Sequence, residues 1–182
     1  MSRRALDSYY TPAWQTRALL AHQPILGTVL EPCAGDGSIA AVLRAHDLSV
    51  TTNDIRPGLA EHAYDARTAM RAASVDWIVT NPPYQMPLCR DIVAEALRCA
   101  RVGVAMLLQI SFREPTAKVN PRGPWLEDNP LSRVLTLPRH SYTGNGKSDS
   151  ATTEWCLWLR EPTDLPPILS LYRADVGARK DT

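Results

Sequence analysis

The 182-residue chain has only four cysteines (Cys33, Cys89, Cys99 and Cys156), widely spaced and without a C-x-x-C pair. That excludes a disulfide framework or zinc ribbon and fits reduced thiols in a cytoplasmic protein. The four histidines are equally scattered, so no metal cluster is expected. Charge of either sign is not in excess: 20 basic residues face 19 acidic ones. Any surface for a polyanion must therefore be local rather than global. Long apolar runs are missing as well. The longest, "VGVAMLLQI", is about half of the ~20 residues that a membrane-crossing helix requires. No signal peptide is expected ahead of the first motif, and no internal repeat is visible. The length suits one domain.

What is present is an alternation. Short apolar runs ("ILGTVLEP", "LSVTTND", "VDWIVT", "RVGVAMLLQ") are separated by helical spacing in "SIAAVLRAH" and "CRDIVAEALRCA". The latter carries apolar residues at positions 92, 93, 96 and 97. "AWQTRALLAH" forms an earlier helix with Pro12 suited to its first turn. Residues 56–73 carry only a weak helical signal. This alternation predicts a mostly parallel α/β sheet with helices on both faces. "RVLTLP" and "TTEWCLWLR" are two further strands. Residues 111–130 hold four prolines and no period and read as a long loop. Residues 1–160 are expected to form the domain, and 161–182 a peripheral tail.

Two strand ends carry chemistry. In "EPCAGDGSIA", Gly35, Gly37 and Ala40 satisfy G-x-G-x-x-G/A, which allows a tight turn and close approach of a ligand to the backbone. Asp54 follows 19 positions after Gly35, at the tip of the next strand, where a carboxylate can accept from ribose hydroxyls. Dinucleotide oxidoreductases and enzymes using S-adenosylmethionine share both features. Glu31, just before the turn, favours the second group, because a carboxylate there can meet an ammonium. "GNGKS" is not a phosphate loop: the pattern needs glycine at 141, where Ser141 stands.

The other strand end is "TNPPY". Two adjacent prolines fix two φ angles and hold Asn81 extended beside an aromatic ring. An oxidoreductase has no use for such a stiff corner. An amino nitrogen conjugated to a ring is a poor nucleophile, and two acceptors on its hydrogens would raise its electron density. The Asn81 side-chain oxygen and the Pro82 carbonyl could be those acceptors, with Tyr84 as a stacking face for an unstacked base.

"YYTP", "EPCAGDG" and "TNPPY", in that order, resemble the gamma-type arrangement of amino-methyltransferases acting on adenine. The compact layout, with "TGNGKSDSATTEWCLW" near the end, is most similar to small phage or prophage DNA adenine methyltransferases. The resemblance covers roughly residues 9 to 160 and implies a Rossmann-like, class I S-adenosylmethionine-dependent fold. It assigns Tyr10, Thr11 and Pro12 to the methionine end of the cofactor. Glu31 and the backbone through Pro32, Cys33, Ala34, Gly35 and Gly37 take its amino-acid portion. Asp54 takes the ribose, Ile55 the adenine ring and Asp65 the adenine amino group. Asn81, Pro82, Pro83 and Tyr84 form the catalytic tetrad. The partner implied is nucleic acid, most of all DNA, with no membrane. Arg113, Arg122, Arg139 and Lys147, in the 111–150 region, are candidate phosphate contacts. RNA adenine, a protein glutamine, or a non-catalytic nucleotide-binding role are the alternatives.

Overall fold

The computed structural model describes residues 11–114, 122–139 and 152–172. Seven strands form one sheet: β1 (Thr28–Glu31), β2 (Ser49–Thr52), β3 (Trp77–Thr80), β4 (Gly103–Gln109), β5 (Arg133–Thr136), β6 (Thr153–Leu159) and β7 (Ile168–Ser170). Their spatial order is β2-β1-β3-β4-β6-β5-β7. All neighbouring pairs are parallel except the two that involve β6.

The strands alternate between two apolar clusters. Val79, Ala105 and Leu107 face one side with Leu19 of α1 (Ala13–His22) and Ile39 and Leu43 of α2 (Ser38–Arg44). Ile78, Val104, Met106 and Leu108 face the other, with Met70 of α3 (Ala66–Ala72) and Ile92, Val93 and Ala96 of α4 (Leu88–Cys99). This period of two, with both faces covered, makes the central strands read as continuous apolar runs.

Two stretches differ from the sequence expectation, and a third, with a weak helical signal, is helical over part of its length. Within 111–130, a 3-10 turn spans Ile110–Arg113 and a helix, α5, spans Arg122–Asp128. Pro124 lies in the first turn of α5, where a missing N–H breaks no helical bond. The residues beyond Pro162 supply β7, which pairs parallel with β5 at the sheet edge. Only Ala66–Ala72 of the 56–73 stretch is helical.

Two contacts seat α1. Trp155 donates its indole N–H to the Gln15 carbonyl at 2.8 Å. Arg133, buried, donates to the His22 carbonyl at the helix C-terminus at 2.7 Å, where a cation suits the helix dipole. Among the described residues no helix is long and apolar enough to cross a membrane. Nor do they contain a cluster of three or more potential metal ligands.

Candidate active site

The glycine turn joins β1 to α2 with Gly35 at φ +57° and Gly37 at φ +80°, left-handed values that favour glycine. Gly37 is the N-cap of α2, and just before it the Asp36 carboxylate accepts from the Ser38 amide (3.1 Å) and hydroxyl (2.7 Å). Asn53 locks this turn to the tip of β2. Its amide donates to the Pro32 and Tyr64 carbonyls, both at 3.0 Å, and its side-chain oxygen accepts from the Tyr64 amide. In the sequence Asn53 is inconspicuous. Its only signal is a fully polar residue just where an apolar strand ends.

Asp54 is buried and accepts from the Gly35 amide at 2.9 Å. It also accepts from the Arg56 amide (2.9 Å) and from Arg56 Nε (3.0 Å). Burial pushes its carboxyl up, but the hydrogen bonds from Arg56 and Gly35 outweigh this and hold it below the usual carboxylate range. Arg56 is a second site residue that the sequence did not disclose. Asp65 caps α3 by accepting from the Arg67 amide at 3.0 Å, and its two oxygens take the Arg67 guanidinium, each at 2.9 Å. Ile55 stands 59% exposed between these acids, an apolar surface open to a flat ring.

Glu31 is different. It lies 1% exposed behind the turn, and its Oε2 is buried without a hydrogen-bond partner. Burial pushes its carboxyl up to about 8. Burial likewise pushes the Cys33 thiol up to about 12, so it stays protonated and unsuited to nucleophilic attack.

The second corner leaves β3 at Thr80. Asn81 Nδ2 donates to Thr11 Oγ1 at 3.1 Å, while Asn81 Oδ1 is buried and unpartnered, as is Thr80 Oγ1. Tyr84 packs its ring partly against the α3–α4 cluster.

A cavity of about 370 Å³ joins the two corners. Pro32, Cys33, Gly35, Asp54, Ile55 and Asp65 line one part, and Asn81, Pro82, Pro83 and Tyr84 the other. Arg56 and Gln109, the last residue of β4, also face it. Ten of the sixteen catalytic and cofactor candidates from the sequence thus line one cavity, whereas Glu31, Ala34 and Gly37 do not. Thr11 reaches the corner through Asn81, and Pro12 precedes α1.

Of the cationic candidates, Arg113 and Arg139 do not line the cavity. Arg113 turns onto the fully buried Glu154, with Nε 2.5 Å from one oxygen and Nη2 3.0 Å from the other. Arg139 is exposed and donates to Thr152 Oγ1 at 3.3 Å. Arg122 opens α5. Tyr10 and Lys147 lie outside the described residues.

No protein-family model matches the chain. No curated protein matches it in sequence either. Solved structures do match in shape. The M protein of the type I restriction enzyme EcoKI superimposes with a TM-score of 0.56 at 13% identity, over 88% of this chain and 45% of that one. A SAM-dependent methyltransferase from Archaeoglobus fulgidus gives 0.54 at 10% identity, over 80% and 91%. A Listeria monocytogenes protein assigned to the class I S-adenosylmethionine-dependent methyltransferases gives 0.50 at 12%, over 87% and 61%. The chain thus spans less than two thirds of the Listeria protein and under half of the EcoKI subunit. What these likenesses establish is architecture: the chain has the Rossmann-like α/β fold of class I S-adenosylmethionine-dependent methyltransferases.

Proposed function

We propose that this protein is an S-adenosylmethionine-dependent methyltransferase acting on the exocyclic amino nitrogen of adenine in DNA. One observation carries the reading. The Asn-Pro-Pro-Tyr corner and the glycine turn with Asp54 open onto one cavity, and the Asn81 side-chain oxygen there is buried with no partner. A buried acceptor left unpaired costs about 1–3 kcal/mol, so such an atom is kept for a donor that arrives with a ligand.

The residues present fit the cofactor. The Gly35–Gly37 turn leaves backbone open to a ligand, and Ile55 offers a face for its adenine. The unpaired Glu31 oxygen suits the ammonium of its amino-acid portion. Asp54 can accept from ribose hydroxyls once Arg56 yields part of its contact. When bound, S-adenosylmethionine supplies an electrophilic methyl group on a sulfonium.

The chain's own part is preparation. Asn81 Oδ1 and the Pro82 carbonyl accept the two amino hydrogens of the base. This withdraws the nitrogen lone pair from the ring and favours tetrahedral geometry. The prolines keep both acceptors fixed, so little reorganisation is needed as positive charge develops on nitrogen. The nitrogen would form its bond to the methyl carbon as the methyl–sulfur bond breaks, the electron pair staying on the departing thioether, and would shed one of its protons to solvent. Tyr84 offers a stacking face that offsets part of the cost of unstacking the base. Holding the base nitrogen in place beside the cofactor cavity would supply much of the remaining rate.

The choice of DNA follows the resemblance to small phage or prophage enzymes, and Arg122, Arg139 and Lys147 are the phosphate contacts it suggests; Arg113, engaged by the buried Glu154, is not among them. The deciding experiment offers labelled S-adenosylmethionine with DNA, RNA or a glutamine-bearing protein. Label recovered as N6-methyladenine in DNA is the expected result. Label confined to RNA or protein overturns the choice of substrate, and no cofactor binding by calorimetry overturns the whole reading.

A further inference from the structure

Thr11 is 4% exposed and 70 residues away from Asn81 in sequence, yet its hydroxyl oxygen sits 3.1 Å from the Asn81 amide nitrogen. It enters the site just ahead of α1. That helix is held to the sheet by the Trp155–Gln15 bond and by the buried Leu19. The hydroxyl is therefore carried on an anchored segment, and its place relative to β3 is set by the core.

An asparagine amide has two faces of opposite character. With Nδ2 on Thr11, Oδ1 remains as an acceptor, and it is the atom left unpartnered. With the amide turned over, Thr11 could donate to Oδ1, and Nδ2 would then meet the incoming amino group donor to donor. Only the first orientation accepts a hydrogen from substrate.

We propose that Thr11 is a positioning residue that orients the Asn81 amide so that its oxygen accepts from the substrate amino group. This rests on the reading of Asn81 as that acceptor. It also departs from the role that resemblance assigns to Thr11, at the methionine end of the cofactor.

Two measurements test it. In the free wild-type protein, the Asn81 side-chain NH2 resonances, identified by their loss in Asn81→Asp, should exchange slowly with solvent. In Thr11→Val, a near-isostere without the hydroxyl, that protection should disappear. Exchange at the rate of an exposed amide in wild type, or protection unchanged in Thr11→Val, overturns the proposal without reference to any substrate. With DNA and labelled cofactor, Thr11→Val should lower kcat by about tenfold, the scale of one hydrogen bond. Cofactor Kd should stay within about twofold, and Thr11→Ser should restore most of the rate. Weakened cofactor binding with kcat unchanged makes Thr11 a cofactor contact and sinks the proposal. A wild-type protein inactive on all substrates sinks the proposed function alone, while the exchange measurement still decides the Thr11 contact.

Discussion

The two ends of the sheet handle polar groups in opposite ways. Where the parallel strands begin, charge is matched internally. Asp76, just before β3, accepts from the amide and hydroxyl of Thr28 at 2.8 and 2.9 Å and from Arg101 at 2.9 Å. The Thr28 amide, Arg101 and the Thr28 hydroxyl together hold its carboxyl down at about 2. Arg160 donates to the Ala100 carbonyl at 3.0 Å. Where the same strands end, acceptors go begging. Among the described residues five buried side-chain polar atoms lack partners, and three of them, on Glu31, Thr80 and Asn81, lie at the tips of β1 and β3. Trp77 Nε1 is the exception at the closed end, on a ring wedged against Gly103 where a Cβ would sit 2.6 Å away. The first end pairs its charges internally; the second leaves unpaired the polar atoms on which the proposed ligand contacts rest.

The strongest attempt to break this contrast is Asn81→Ala. If the reserved oxygen serves turnover, kcat should fall by roughly 10²–10³-fold, as when one preorganised electrostatic partner is removed. Cofactor affinity should hold, and the midpoint of thermal unfolding should not drop, because an unpaired acceptor is deleted along with one bond. Radiolabel transfer, calorimetry and a melting curve check the three parts. Turnover above a tenth of wild type would place the acceptor elsewhere.

Next in size is Arg113→Ala, which probes an internally matched charge at the otherwise open end. Glu154 is fully buried, so removing its partner leaves an uncompensated charge. Buried pairs broken this way cost about 3–5 kcal/mol. With Arg113 34% exposed, water screens part of that, and about 2–3 kcal/mol is expected from urea unfolding. Unchanged stability with weaker DNA binding would show the arginine free for phosphate instead.

The sheet was legible in the sequence because its signals are local. A run such as "VAMLLQ" is apolar whichever partner covers it, and α4 shows its buried stripe at 92, 93 and 96 without help. The glycine turn and the proline corner were legible for the same reason, since each states its backbone geometry in a few residues. The rest depends on distance in the chain. The Thr11–Asn81 bond joins residues 70 apart, and Arg113 meets Glu154 across 41. No spacing rule encodes such contacts. β7 was hidden because three residues after two prolines show no periodicity, and only β5 alongside makes them a strand.

Glu31→Gln sharpens the comparison through pH. The folded carboxyl is raised from its ordinary value of 4.5 to about 8, so the folded state holds a proton that the unfolded chain has already released. Stability must therefore fall as pH rises from about 4.5 through 8, the reverse of a salt-bridged acid. Glutamine cannot titrate. Without cofactor, the variant should gain in melting temperature over wild type as pH goes from about 5 to about 8.5. With saturating S-adenosylmethionine the order should reverse, because the cofactor's ammonium then pairs with the ionised carboxylate in wild type only. A pH-independent difference between the two proteins would mean that Glu31 is not the starved acid its surroundings indicate.

The smallest effect belongs to Arg139, whose only described side-chain bond is a 3.3 Å contact to Thr152 on the surface. Such a residue gives the fold little, so Arg139→Ala should leave the melting temperature alone. If it meets a phosphate, DNA affinity should fall by only about two- to threefold at 0.1 M salt, and the slope of log K against log salt should shrink by about 0.9. Arg113 and Arg139 then separate cleanly, although both are arginines at the open end. One loses stability when removed, and the other loses salt dependence. A salt slope unchanged by Arg139→Ala would remove this residue from the DNA-facing surface. It would leave the nucleic-acid reading to rest on Asn81 and its neighbours, where the unpaired acceptors are.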